Sequence, residues 1–227
     1  MTIFRYALLR NMRRKWTLAA LWVAPTFLMF LNPLWEEGSL SGFSIYSMVI
    51  LLAAFLLVRP IMEDRVTGTA VRIFAAPITT FKYLFQNLLA ALILLMVQIV
   101  VLLGLRLLWQ GWSWSLTGRA LLSYAIFAGV ALALCLAWNS LFRNKDLSDA
   151  VFSIVMSVMA LFGGVFVPIT VLKGVIQKIA MLMPPYWLIH ALHNLDGDSV
   201  YAYWLSLGIL LLFAAVFLIF GSKRRLE

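Results

Sequence analysis

Six long apolar stretches account for more than half of this chain of 227 residues. A helix needs about 20 mostly apolar residues to cross about 30 Å of hydrocarbon, and each stretch is long enough for one crossing. The connections between them are too short to hold a soluble domain of ordinary size. We therefore predict an all-α membrane protein with one transmembrane domain over residues 1–227. The predicted spans are residues 16–34, 43–62, 83–108, 120–142, 150–167 and 200–220.

The composition excludes a soluble globular protein. Hydrophobic residues make up 64% of the chain and charged residues 12%, whereas an ordinary soluble domain has about 45–50% and about 25%. The formal net charge is +9, which in a soluble protein would suggest a nucleic-acid partner. In so apolar a chain the charge instead indicates which connections face the cytoplasm. We therefore predict the lipid bilayer as a partner and no nucleic acid.

The basic residues are concentrated on one side of the predicted membrane. With six spans, both termini lie on the same side as the connections after the second and fourth spans. That side holds fourteen of the 18 Lys and Arg residues, so the positive-inside rule makes it cytoplasmic. The N-terminal residues 1–15 carry five of these basic residues. They are predicted to form an interfacial helix held by anionic lipid.

The connection after the second span predicts a short amphipathic helix over residues 64–75. Glu63 and Asp64 lie near its predicted start, where the helix dipole favours acidic side chains, and Pro77 marks its end. The helix could anchor the chain in the membrane interface or dock a cytoplasmic partner, and the residues leave both functions open. One face of the helix would be apolar, with Val66, Ala70, Ile73 and Phe74.

Residues 168–199 form the longest connection and lie on the outer side. Pro168 and Pro184 bracket an apolar piece of about 15 residues, which is too short to cross the membrane. We therefore predict a re-entrant segment that enters the outer leaflet and returns. Non-helical backbone at membrane depth must be covered by protein or water, so this segment should pack against spans or line an outer vestibule.

Two smaller signals allow more than one interpretation. The charged connection at residues 143–149 is either a solvated turn or a second docking point. His190 and His193 lie near two aspartates, but two histidines without a fixed third ligand are more typical of a hydrated helix end than of a metal site. No metal site is therefore predicted.

The sequence contains no nucleotide-binding or catalytic motif. None of its six Lys residues is preceded by Gly or followed by Ser or Thr, so there is no P-loop. No ionisable residue lies at the centre of a predicted span, which argues against a proton-coupled secondary transporter. The chain is therefore not expected to be an enzyme by itself or to bind a cofactor.

Two stretches of the sequence, together with the number and spacing of the spans over nearly the whole chain, match one known family of membrane proteins. The first stretch is Glu63-Asp64-Arg65-x-x-Gly68-Thr69, followed by Ala76-Pro77-Ile78. The second stretch is Phe162-Gly163-Gly164-Val165-Phe166-Val167-Pro168, with Pro184-Pro185-Tyr186 after it. They resemble the first cytoplasmic loop, and the fifth-span end and re-entrant hairpin, of the type-2 ABC transporter permeases, the membrane subunits of ABC exporters for drugs, polysaccharides and lipids.

The resemblance implies a subunit of an ATP-driven exporter in the bacterial inner membrane, with both termini cytoplasmic. Its partners would be a second permease copy or a sibling chain, and a separate P-loop ATPase that binds ATP and Mg at the cytoplasmic face. Residues 64–75 would be the coupling helix. The implied ATPase contacts are Glu63, Asp64, Arg65, Gly68, Arg72, Asp146 and Asp149.

The resemblance also implies a translocation path between the second and fifth spans of two copies. The cargo would be an amphiphilic or hydrophobic molecule, such as a drug, a peptide, a lipid or a glycan-lipid. A motor-free channel or secondary transporter and a membrane enzyme or assembly factor remain alternatives. The implied path and gate residues are Met156, Met159, Phe162, Gly163, Gly164 and Val165.

Overall fold

The computed structural model describes residues 2–30, 42–74, 79–110, 113–142, 144–167, 173–195 and 199–223. These residues form helices joined by turns. The helices before residue 75 are α1 (Thr2–Met12), α2 (Lys15–Leu18), a π-helical turn (Ala19–Val23), α3 (Ala24–Phe30), α4 (Gly42–Val66) and α5 (Thr69–Phe74). The later helices are α6 (Thr80–Gln110), α7 (Trp114–Leu141), α8 (Lys145–Phe162), α9 (Val175–Ala180), α10 (Pro184–His193) and α11 (Val200–Lys223).

Four of these helices, α4, α6, α7 and α11, are long and apolar enough to cross a membrane. They correspond to the predicted spans 43–62, 83–108, 120–142 and 200–220. α4 and α6 run past both predicted ends, α11 starts at the predicted residue and runs past the predicted end, and α7 starts earlier and ends one residue sooner. Hydropathy locates the apolar centre of each helix, while its polar ends depend on local hydrogen bonds.

The helices at the other two predicted spans differ from the prediction. The described part of residues 16–34 is divided into α2, the π-helical turn and α3, and residues 31–34 lie outside the described residues. The prediction of a helix over residues 150–167 was wrong at both ends, because α8 begins at Lys145 and ends at Phe162. The early start has a local cause. The Asn144 side chain accepts hydrogen bonds from the backbone N–H groups of Asp146 (2.9 Å) and Leu147 (3.3 Å), which is an N-cap.

A turn divides the helix predicted over residues 64–75. α4 continues to Val66, Gly68 adopts a φ of 71°, and α5 begins at Thr69. A left-handed residue commonly ends a helix, and glycine adopts this conformation without a Cβ clash. Glu63 and Asp64 therefore lie in the last turns of a long helix, and their predicted place at a helix start was wrong. Residues 75–78 lie outside the described residues.

Two short helices, α9 and α10, form the described part of the outer connection. The Pro184-Pro185 pair lies in the first turn of α10, where a missing backbone N–H costs no helical hydrogen bond. The pair therefore starts a helix as well as ending the preceding apolar piece. α10 packs against α4, α7 and α11. Entry of this segment into the outer leaflet stays a prediction.

The core lies around α4 and α7. In their most apolar stretches, 72% of α4 and 67% of α7 is buried, against 39% of α6 and 22% of α11. α7 packs against α4, α6, α10 and α11. The N-terminal helix α1 packs against α6, where the Phe4 backbone N–H donates to Gln86 Oε1 at 3.2 Å. The outward faces of α6 and α11 are therefore apolar surfaces suited to lipid.

Candidate functional site

A network of ion pairs joins α1, α4 and α8 at one end of the molecule. Glu63 is its centre: it pairs with Arg14, with Lys145 at 3.1 Å and with Arg59 at 3.9 Å. Arg59 also donates to Asp149 at 2.5 Å. This arrangement compensates Glu63, which at the C-terminal end of α4 would otherwise face an unfavourable helix dipole. We refer to these pairs, together with that of Asp64, as the cytoplasmic network, after the side of the membrane that the sequence predicts for this end of the molecule.

Asp64 ties α1 to α4 and α6. Arg10 donates to Asp64 Oδ2 at 2.6 Å and to Asn87 Oδ1 at 3.2 Å, while the Tyr83 hydroxyl donates to the same Asp64 oxygen. The side chains of Arg10 and Asp64 are only 16% and 13% exposed. Because both charges are largely shielded from water, each depends on the other for compensation.

The cytoplasmic network separates the predicted ATPase contacts into two groups. Glu63, Asp64 and Asp149 already bind basic side chains within the chain. Arg72 on α5 and Asp146 in the first turn of α8 are exposed, and Arg65 and Gly68 are partly exposed. The basic partners Arg10, Arg14, Arg59 and Lys145 did not emerge from the sequence analysis. Most of them lie 49 to 90 residues away along the chain from the acids they bind.

A groove of about 530 Å³ lies between α4 and α8. Its walls are mostly apolar, and the ring of Phe55 from α4 stacks on that of Phe152 from α8 with centroids 4.0 Å apart. Arg59 and Asp149 stand at one end, so the groove combines an apolar body with an ionic end. The other lining residues are Met48, Leu52, Leu56, Ser153, Met156, Ser157, Ala160 and Phe166.

The α8 wall of the groove carries a polar stripe formed by Asp149, Ser153 and Ser157. Their spacing of four places them on one helix face. The Ser153 hydroxyl donates to the Asp149 carbonyl at 2.8 Å and the Ser157 hydroxyl to the Ser153 carbonyl at 2.9 Å. Each hydroxyl proton is thus satisfied within the helix, while both serines remain exposed. The spacing is visible in the sequence, but the predicted path residues of this span included neither Ser153 nor Ser157.

Of the predicted path residues, Met156 alone lines the groove. Met159 and Phe162 are partly buried, and Gly163, Gly164 and Val165 are buried at the end of α8. A Cβ on Gly163 would lie 2.3 Å from the Met159 carbonyl oxygen and 3.0 Å from Pro185 Cβ. This turn therefore packs the end of α8 against α10, and its predicted role as an outer gate stays a prediction.

His190 on α10 connects to α11. The Ser206 hydroxyl donates to the Ala202 carbonyl at 2.7 Å, and its oxygen lies within hydrogen-bond distance of His190 Nδ1, at 2.8 Å. Burial and the nearby His193 lower the pKa of His190. Within the described ranges, no group of three or more His, Cys, Asp or Glu side chains is placed to hold a metal ion, and Asp196 and Asp198 lie outside those ranges.

We expect the free energy of unfolding to fall as the pH drops below about 6.5, the ordinary pKa of histidine. His190 has a lower pKa in the folded chain, so the unfolded chain binds the proton first and is favoured by acid. Thermal unfolding of the purified chain between pH 7.5 and pH 5 measures this. The His190→Gln variant should lose part of the pH dependence, whereas the exposed control His193→Gln should lose less of it, because the burial of His190, the larger cause of its lowered pKa, is unchanged. Equal pH dependence in wild type and His190→Gln would contradict the assignment.

A comparison with protein families places these features in a known group. A family model described as ABC-2 family transporter protein matches residues 37–223, which include the groove and both cytoplasmic connections. No curated protein matches the chain at a significant level. The match covers most of the chain and agrees with its long apolar helices, as expected for a multi-pass membrane protein. The chain therefore belongs to the ABC-2 family of transporter proteins.

Proposed function

We propose that this chain is the permease subunit of an ATP-driven exporter that moves an amphiphilic or hydrophobic molecule out of the cell. Membership of the ABC-2 family supports the role of a membrane transport subunit. The groove between α4 and α8 is the observation that carries the substrate class. Its walls are apolar and its end is ionic, which suits a drug, peptide, lipid or glycan-lipid that has both an apolar and a polar part.

A second permease, either a copy or a sibling chain, would cover the groove. Ser153 and Ser157 are exposed on α8, and polar groups at membrane depth are expected to face protein or a water-filled cavity instead of lipid tails. A partner placed against this face would enclose a path with serine oxygens and apolar side chains along its wall. The pairing of two permeases at α4 and α8 therefore accounts for the polar stripe.

The positions of the helix ends support a topology of six spans with both termini in the cytoplasm. The cytoplasmic network brings α1 to the end of α4 and the start of α8. At the same end, Gly221 of α11 approaches Leu136 and Ala137 near the end of α7. α1, the end of α4, the start of α8 and the last turns of α7 and α11 therefore share one end of the described structure, which supports placing them on the cytoplasmic side of a bacterial inner membrane.

The motor would be a separate P-loop ATPase, which binds ATP and Mg. Arg72 on α5 and Asp146 at the start of α8 are its best contacts, because both are exposed and charged. Gly68 sets the angle at which α5 leaves α4. In this proposal α5 takes the role of the coupling helix, and the cytoplasmic network carries its movement to α8 and the groove.

Co-purification together with a transport assay tests this function. The full-length chain is expected to retain a P-loop ATPase, and Arg72→Ala should weaken ATPase binding about tenfold, since an arginine anchor commonly contributes more than 1 kcal/mol at an interface. Arg5→Ala is the matched control, because Arg5 is exposed on α1 and away from α5 and α8. Transport by the chain alone, or a stable complex without an ATPase, would favour a channel or secondary transporter and would contradict the proposal.

A further inference from the structure

We propose that a recess at the cytoplasmic ends of α4, α7 and α11 binds the phosphate group of an anionic phospholipid from the inner leaflet. The recess is separate from the α4–α8 groove and takes a different ligand. Its assignment to the inner leaflet depends on the proposed cytoplasmic orientation of these helix ends, and it depends on neither the substrate nor the ATPase.

The recess joins polar side chains to apolar walls. Arg65 of α4 and Asn139 of α7 supply nitrogen atoms, while Leu84 and Leu136 supply apolar surface, and Gly221 of α11 closes one side. Its volume of about 20 Å³ admits a group about the size of a water molecule. A phosphate oxygen can enter, and the rest of the lipid remains outside the recess.

Asn139 is a buried amide without a partner. Its residue is only 5% exposed, and neither amide atom has a hydrogen-bond partner among the residues that the structure describes. Buried polar atoms in native proteins are nearly always paired. The Asn139 side chain therefore offers an unused N–H donor to a ligand in the recess.

Arg65 supplies a positive charge without a carboxylate partner. The neighbouring acids Glu63 and Asp64 are bound by Arg14 and Arg10, and Arg65 forms no ion pair with another residue in the described ranges. A guanidinium fork and an amide N–H are both hydrogen-bond donors, and guanidinium groups match phosphate oxygens well. The recess therefore favours an anion.

The recess lies near the end of a predicted span, which favours a lipid headgroup as the source of that anion. Arg65 lies three residues beyond the predicted span 43–62, at the depth where basic side chains reach lipid headgroups. Phe85 follows Leu84 and is 55% exposed, and Phe220 precedes Gly221 and is 67% exposed. Acyl chains can therefore lie against apolar surface next to a bound headgroup.

Lipid titration of the purified full-length chain tests the proposal. Phosphatidylglycerol, phosphatidylcholine or inorganic phosphate is added to the chain in detergent, and thermal stability and bound lipid by native mass spectrometry are measured. We expect phosphatidylglycerol alone to stabilise the chain, with one tightly retained lipid per chain. Arg65→Gln should weaken this binding about tenfold, as the loss of a hydrogen bond between charged groups predicts.

Two matched variants separate a specific site from general attraction to charge. Arg72→Gln removes the same charge from an exposed position and should change phosphatidylglycerol binding less than about twofold, because exposed charges contribute little individually. Asn139→Leu removes a buried unpaired amide, so it should fold, but it should weaken phosphatidylglycerol binding several-fold because the phosphate loses a hydrogen-bond donor. This second variant keeps the test valid if Arg65→Gln does not fold.

Three results would overturn the lipid site. They are equal weakening by Arg65→Gln and Arg72→Gln, equal stabilisation by inorganic phosphate, and unchanged phosphatidylglycerol binding in Asn139→Leu. None of these measurements involves transport or ATP hydrolysis. A failure here would therefore leave the proposed permease function untouched, and a failure to recover an ATPase would leave the lipid site standing.

Discussion

The free energy of unfolding of the Asp64→Asn variant is expected to be about 3 kcal/mol lower than that of the wild type. Asparagine keeps the shape of the side chain but removes the charge that compensates Arg10, whose side chain is only 16% exposed. The Tyr83 hydroxyl loses its carboxylate acceptor as well. We expect α1 to separate from α6, because the Arg10–Asp64 pair is one of the main attachments of α1.

Thermal unfolding in detergent measures the loss, and limited proteolysis after Arg10 and Arg13 measures the release of α1. Asp146→Asn is the matched control, because Asp146 is exposed and interacts mainly with the helix dipole. It should cost less than about 1 kcal/mol and leave α1 protected from protease. Equal losses in the two variants would show that Asp64 contributes only surface charge.

Gly163→Ala is expected to lower the free energy of unfolding by about 2 kcal/mol, the usual cost of forcing an extra carbon into packed structure. The added Cβ would lie 2.3 Å from a backbone oxygen, that of Met159, and 3.0 Å from Pro185. Neither is the end of a flexible side chain, so the last turn of α8 must distort and the start of α10 must shift away from it.

Gly118→Ala in α7 is the control for this substitution. Gly118 is exposed within a helix and a Cβ there would meet no atom within 4 Å, so alanine should stabilise the chain by up to about 1 kcal/mol. Thermal unfolding of both variants shows directly whether each substitution raises or lowers the stability of the chain. A shift of both variants in the same direction would contradict the close packing of α8 against α10. A loss of transport in Gly163→Ala at a temperature where it remains folded would support the predicted outer gate.

Hydropathy was sufficient for the parts of the fold that depend on apolar burial. α4, α6, α7 and α11 lie where the apolar stretches predicted them, because a run of about 20 apolar residues has few alternatives to a buried or membrane helix. Local polar signals were harder to interpret. Asn144 starts α8 before its apolar part, and Gly68 ends α4 within a pattern that had the spacing of one helix. Both effects depend on a single residue, which periodicity over a longer window does not detect.

The candidate site was only partly predictable. Glu63, Asp64 and Asp149 stood out as charged residues in short cytoplasmic connections, and all three belong to one cluster. Their partners Arg10 and Arg59 are distant in sequence, so no spacing rule connects them. Met156 was expected on the path and lines the groove, whereas Gly163 and Val165 are buried at a turn.

The sequence by itself determined the class of protein and the approximate positions of the long helices, and it predicts the side of the membrane on which the basic residues lie. These properties follow from the composition and order of the residues, because burial of apolar side chains and the cost of moving charge across lipid act on each segment separately. Only the tertiary structure decided which charged residues neutralise one another and which remain exposed to a partner. It also showed that Ser153 and Ser157 face a groove and that Arg65 and Asn139 share a recess, since these contacts exist only when separate helices pack together.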